Sequence, residues 1–286
     1  MNRGLSGSVE PWICPNCRAG VATPFCAQCG ERPIKATDLT VRGAFDRVVH
    51  ALTSVDGRVL RTFWRLLRHP GALTKAYVDG QRKPWAQPFQ LFLIANVLFF
   101  AVQSLTGINV LGASLDSHLH HQDWQVLAQS LLDRHLQSAH ASLAQYAPLF
   151  DRAVVLHAKS LVILMVLPYT GLVSLVFLGR NKRFMGHVAF SLHLFTFLML
   201  LFSLAVLLAK VDTWFGGAGL DSNRVDNVVS AIDLVVSAIY IYLALGPAYG
   251  VSGTARVLAS LLLSVAAPAI VLGYRFVIFL ITLYST

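Results

Sequence analysis

Residues 187–209 read HVAFSLHLFTFLMLLFSLAVLLA, a run without an Asp, Glu, Lys or Arg. A helix needs about 20 mostly apolar residues to cross the hydrocarbon core of a bilayer, and this run is long enough. A soluble helix of that length carries charge on its outer face, so the stretch reads as a membrane span. Working outward, four more apolar blocks stand near residues 89–107, 160–178, 228–248 and 257–283. The first is the shortest, and Asn96 and Gln103 interrupt it. Composition agrees, since 55% of residues are hydrophobic and 13% charged, about half the charge of a soluble domain. The expected fold class is an all-α integral membrane protein, with a bundle of about five transmembrane helices over residues 88–286. An outer-loop helix is expected near 122–145, where Trp124, Leu127, Leu131, Leu136, Ala139 and Leu143 recur at helical spacing.

Charge orients the spans. Residues 1–84 hold thirteen Lys and Arg against six Asp and Glu, and Arg180, Lys182 and Arg183 crowd the turn between the second and third blocks. Segments 108–157 and 211–227 lean acidic, with four Asp against Arg134 and Arg152, and three Asp against Arg224. Alternate loops therefore differ in sign, which is the positive-inside pattern; it puts the N-terminus in the cytoplasm and the C-terminus outside. The net charge of +9 is explained by topology rather than by nucleic-acid binding.

Ahead of the membrane, Cys14-Pro-Asn-Cys17 and Cys26-Ala-Gln-Cys29-Gly30 form two CxxC knuckles, and the chain has no other cysteine. Two intervening residues let both thiolates of a knuckle reach one ion, and four thiolates suit a closed, structural, tetrahedral Zn(2+) site. A redox dithiol or an iron–sulfur site would need sequence context that is missing here. Residues 1–36 are thus expected to be a zinc ribbon, in a reduced compartment. Residues 37–87 read as amphipathic juxtamembrane helices. Ala44, Phe45, Val48, Val49 and Leu52 recur at helical spacing after a Thr37-Asp38 cap signal. From Gly57 to Arg68, Val59, Leu60, Phe63, Trp64 and Leu67 alternate with Arg58, Arg61, Arg65 and Arg68, a pattern suited to an anionic inner leaflet. His69-Pro70-Gly71 ends it, and Arg82, Lys83 and Trp85 occupy interfacial positions.

The run Asp56-Gly57-Arg58 through Arg61-Thr62, then His69-Pro70-Gly71, Tyr77-Val78-Asp79-Gly80-Gln81-Arg82-Lys83 and Pro88-Phe89, resembles bacterial zinc-ribbon membrane proteins catalogued as domain of unknown function 3667. The CxxC pair and His187-Val188-Ala189-Phe190-Ser191-Leu192-His193 fit the same pattern. A further histidine often stands two places on in that pattern, where this chain has Phe195. The resemblance implies a ribbon, a juxtamembrane helical region and a helical bundle in a bacterial inner membrane, and brings no activity.

Polar residues inside spans are costly and usually face a bundle interior or a cavity. Asp233 and Arg275 are expected at similar depth, about 8 and about 12 Å from the outer ends of adjacent spans, and hence to pair. His193 and Asn96 are expected about 10–12 Å into the inner leaflet, within bonding reach if their helices touch. His187 is placed at the surface, where it would cap headgroups or the turn. Pro168 is expected to kink the second span. The His118, His120 and His121 cluster reads as a solvated loop rather than a metal site.

No catalytic motif stands out. The features are accounted for by an interaction or assembly protein whose ribbon and basic helix dock a protein partner or membrane lipid. The alternative is a small transporter or channel component using Asp233, Arg275 and His193. A third is a membrane-embedded, lipid-modifying enzyme, which would need an acidic cluster near His193.

Overall fold

A computed structural model describes residues 11–31, 33, 57–179, 183–217, 219 and 223–286. The helix expected over Ala44–Leu52, Asp56, and the turn residues Arg180 and Lys182 lie outside the described residues. Strands β1 (Trp12–Ile13) and β2 (Gly20–Val21) pair antiparallel, with Trp12 opposite Val21. Helices α1 (Gly57–Arg68) and α2 (Ala72–Val78) follow, then α3 (Pro88–Thr106), α4 (Leu115–His120) and α5 (Gln125–Ala139). Next come α6 (Leu143–Leu161), a 3-10 turn (Val162–Met165) and α7 (Val166–Val176). The chain ends on α8 (Phe184–Trp214), α9 (Asn223–Tyr249) and α10 (Gly253–Ser285).

Five helical stretches are long and apolar enough to cross a membrane: α3, α6 through α7, α8, α9 and α10. The chain is a mostly helical, multi-pass membrane protein. Each expected block overlaps one of the five, the first two running one or two residues past its end, but the second stretch starts well before residue 160, at Leu143. Asp151, Arg152, His157 and Lys159 hide this extension from a hydropathy reading. Tyr146, Phe150, Val154 and Ala158 recur every four residues along it and are buried. The expected outer helix is correspondingly shorter. It breaks where His140 takes a left-handed φ of 51°, and Ser142 with Gln145 caps the next helix. Pro168 acts one turn upstream. Its missing N–H leaves the Leu164 carbonyl without a helical donor, and the backbone winds as a 3-10 turn there.

The central helix is α8, which packs most extensively on α3 and also on α7. α10 closes the bundle against α6, α7 and α9. α8 and α9 touch more sparingly, because α2 wedges between them and packs on both. Helix ends fall into two sets. At one end Tyr77 of α2 clusters with Met185 and Ala189, and Gly71 lies on Ala244. At the other, Tyr146 donates to the Leu283 carbonyl at 3.2 Å and His118 packs on Phe279. The ribbon, α1 and α2 share the first end.

Candidate functional site

The ribbon is built from one turn used twice. Arg18 N–H donates to the Cys14 carbonyl at 2.8 Å, and Gly30 N–H to the Cys26 carbonyl at 2.7 Å. Both closing residues are left-handed, Arg18 at φ 62° and Gly30 at φ 68°. Cys14 N–H then pairs with the Ala19 carbonyl and Cys26 N–H with that of Glu31. The two turns face each other, so all four Sγ atoms lie within 4.8 Å of one another. Cys14 and Cys29 are 3.5 Å apart and Cys17 and Cys26 3.4 Å. A tetrahedral ion with bonds of about 2.3 Å separates its sulfurs by about 3.8 Å, so the cluster has the size of a metal site. A hydrogen bond from Asn16, with a backbone contribution from Glu31, lowers the Cys29 thiol to about 6. At Cys17 a lowering backbone hydrogen bond at Ala19 is outweighed by the neighbouring thiols, Cys26 foremost, which push it up to about 12, so without an ion the four sulfurs do not ionise alike.

The chain then ties the ribbon to the membrane end. Glu31 Oε2 accepts from the Lys83 N–H at 3.2 Å. The Thr62 hydroxyl of α1 accepts from the Ala86 N–H at 2.9 Å and donates to the Arg58 carbonyl. Lys83 is exposed and Arg82 half-buried, its guanidinium 5.3 Å from the centre of the Tyr77 ring.

α1 has three faces rather than the two expected. Val59, Thr62 and Leu66 are buried against the bundle, and Tyr240 donates to the Leu66 carbonyl at 3.2 Å. Leu60, Trp64 and Leu67 are exposed, at 76, 59 and 46%. Arg58, Arg61 and Arg68 are exposed and Arg65 half-buried. Arg68 lies over the Trp64 ring at 4.5 Å and Arg65 over Trp85 at 5.7 Å.

His193 finds a partner other than Asn96. Its Nδ1 and the Thr74 hydroxyl of α2 share a buried hydrogen bond of 2.9 Å. Asn96 is buried on α3, the helix most extensively packed on α8, without reaching that ring. His193 lines a small recess, with room for about one water, together with Tyr77, Gln81, Arg82, Trp85 and Gln87. His187 is not at the surface either. It is buried beside Tyr249, whose ring stacks on it and whose hydroxyl bonds its Nδ1 at 3.0 Å. The surface expectation counted residues from a span end and missed α2 and the end of α9, which cover both histidines.

At the far end, Asp233 and Arg275 are half-buried and form no ion pair among the described residues. The carboxylate whose field acts on Arg275 is Asp226, two turns earlier on α9. His118 is 1% exposed, not solvated, and packs on Trp124, Phe150 and Phe279. Burial first, and then the charge of Arg275, lower it to about 4. The Trp124 indole donates to its Nδ1 at 3.2 Å. His120 and His121 are exposed, and His120 pairs with Asp116 at 3.0 Å. The cysteines are the one cluster of potential ligands among the described residues.

Sequence reasoning missed Thr74, Tyr240 and Tyr249. The His69-Pro70-Gly71 break was the available signal, since a helix restarting there has to fold back onto the bundle. Residues 56–100 match the family model described as "Protein of unknown function (DUF3667)", in line with the resemblance read from the sequence. No curated protein and no solved structure matches the chain.

Proposed function

We propose that this protein is a docking platform of the bacterial inner membrane, whose zinc-bound cytosolic ribbon takes a protein partner beside a basic helix resting on lipid. The observation that carries this reading is the ribbon's surface. Its small core uses Cys14, Val21 and Cys26, while Ile13 and Phe25 project outward, 74 and 60% exposed. Large apolar side chains on so small a domain mark an interaction surface.

Cys14, Cys17, Cys26 and Cys29 would hold the zinc, which cross-links the two turns and leaves no coordination position for chemistry. The orientation rests on charge. Arg58, Arg61, Arg65, Arg68, Arg82, Lys83, Arg183 and Arg256 belong to the ribbon end, and Asp116, Asp123, Asp133, Asp151, Asp212 and Asp226 to the other. Transport is less well supported. Asp233 and Arg275 are unpaired with each other, and His193 lies at the opposite end, so the three do not converge.

The test is affinity purification from native membranes with two variants, Cys26→Ser/Cys29→Ser and Ile13→Ser/Phe25→Ser. The expected result is a partner lost from both, with zinc retained in the second. A partner list unchanged by either variant overturns the docking reading.

A further inference from the structure

The three faces of α1 differ in angle, and the angles say what covers the outermost one. At 100° per residue, the buried positions Val59, Thr62 and Leu66 centre a little more than a third of a turn from the exposed stripe of Leu60, Trp64 and Leu67. Arg61 and Arg68 come about a quarter-turn further round, and Arg58 and Arg65 follow them. α1 packs on α3 and α8 through its buried face, which leaves the apolar stripe and the arginines beside it uncovered. With the stripe turned toward the bilayer, Arg61 and Arg68 point outward at headgroup level, and Arg58 and Arg65 turn toward the cytosol. Two side-chain contacts agree with this roll. Arg65 reaches Trp85 of the strap, residues 79–87, that joins α2 to α3, and Arg68 lies against Trp64 at the border of the stripe.

We propose that the Leu60–Trp64–Leu67 stripe is seated among the acyl chains of an anionic leaflet, with Arg61 and Arg68 on its lipid phosphates. This rests on the platform reading only in placing α1 at the membrane surface, and deepens it by naming the lipid class. Charge complementarity decides the occupant. A stripe bordered along one side by guanidinium groups suits a surface whose apolar layer lies directly beneath a sheet of phosphates. Trp64, an amphipathic ring at the border between the two, sits where interfacial anchors belong. The segmental logic is also economical. Because one face of α1 is fixed to the bundle by Tyr240 and Ala86, lipid engagement does not have to fold the helix. The arginines instead select which lipid surrounds it.

The full chain in nanodiscs, which expose both faces, tests this without any assumption about sidedness. The readout is the Trp64 fluorescence, taken as wild type minus Trp64→Phe, with brominated phosphatidylglycerol or brominated phosphatidylcholine at equal mole fraction. The expected result is quenching by both, with a preference for the anionic lipid that salt weakens. Arg61→Gln/Arg68→Gln should cut that preference by about fivefold per arginine, whereas Arg58→Gln should leave most of it. Should Trp64→Phe disturb the fold, Leu60→Trp with Trp64 retained, read as variant minus wild type, gives the same reading one turn away. Absence of quenching by either lipid overturns the proposal and assigns the stripe to a protein partner. Equal quenching by both lipids overturns the anionic specificity. Neither outcome touches the ribbon, which the cysteine and Ile13/Phe25 variants test separately.

Discussion

Gly71→Ala probes whether α2 is truly wedged between α8 and α9. Gly71 has φ 79°, a left-handed conformation that costs an L-residue about 1–2 kcal/mol. A methyl group there would also run into the Ala244 carbonyl group of α9, whose Cα would stand 2.9 Å away. Both partners are backbone, which yields less easily than a side chain, so overpacking adds about 1–3 kcal/mol. The sum is about 2–5 kcal/mol. Gly107 supplies the control, because its φ of 75° is nearly the same and nothing lies within 4 Å of a built Cβ. Gly107→Ala should therefore cost only the conformational part, about 1–2 kcal/mol. At about 2–4 °C per kcal/mol, Gly71→Ala should lower Tm by roughly 4–20 °C and Gly107→Ala by roughly 2–8 °C. Thermal unfolding of the purified protein in detergent, followed by tryptophan fluorescence, makes the comparison. Equal shifts for the two variants would refute the wedge, since the steric difference is its only source.

Three further outcomes follow from the same contacts. Thr74→Val leaves the buried His193 Nδ1 without its partner and should cost about 1–3 kcal/mol; a double-mutant cycle with His193→Gln should show coupling, and additive effects would remove the bond from the account. Chelation should expose all four cysteines to alkylation while the bundle's helical circular dichroism and Tm stay in place, and loss of the bundle on chelation would contradict its independent packing. His118 is lowered from 6.5 to about 4, so the unfolded chain takes up this proton first and stability falls as pH drops from about 6.5 toward 4. About 3 kcal/mol is lost below pH 4, and His118→Asn should flatten that part of the stability–pH curve; an unchanged slope would place the sensitivity elsewhere.

Length and charge made the bundle legible before any coordinates. A stretch such as 187–209 has one reading, because hydrocarbon is the only medium that accepts so long a helix without charge. The cysteine turns were equally legible, since CxxC spacing followed by Gly30 encodes its own geometry. What sequence could not give was lateral arrangement. Counting residues from span ends put His187 at the surface and matched Asp233 with Arg275 by depth. Depth says nothing about which way a side chain points round its helix, and a rotation of a third of a turn separates two charges at one level. His118 was misread because solvation was inferred from polar neighbours in the loop. Phe150 and Phe279 come from α6 and α10, and they bury it from far along the chain.

The matched segment, residues 56–100, holds α1, α2, the strap and much of α3, and these close the ribbon end of the bundle. Among the described residues, four polar bonds tie this segment to itself or to distant parts of the chain: Glu31 to Lys83, Thr62 to Ala86, Thr74 to His193 and Tyr240 to Leu66. Apolar packing alone would let short helices slide on a bundle, because one apolar side chain replaces another at little cost. A buried hydrogen bond resists sliding, since breaking it strands a polar group in a low-dielectric setting. Burial therefore sets how deep α1 and α2 sit, and the four bonds set their register. Register is what the ribbon needs, because Glu31 meets the backbone of Lys83, whose position descends from α2.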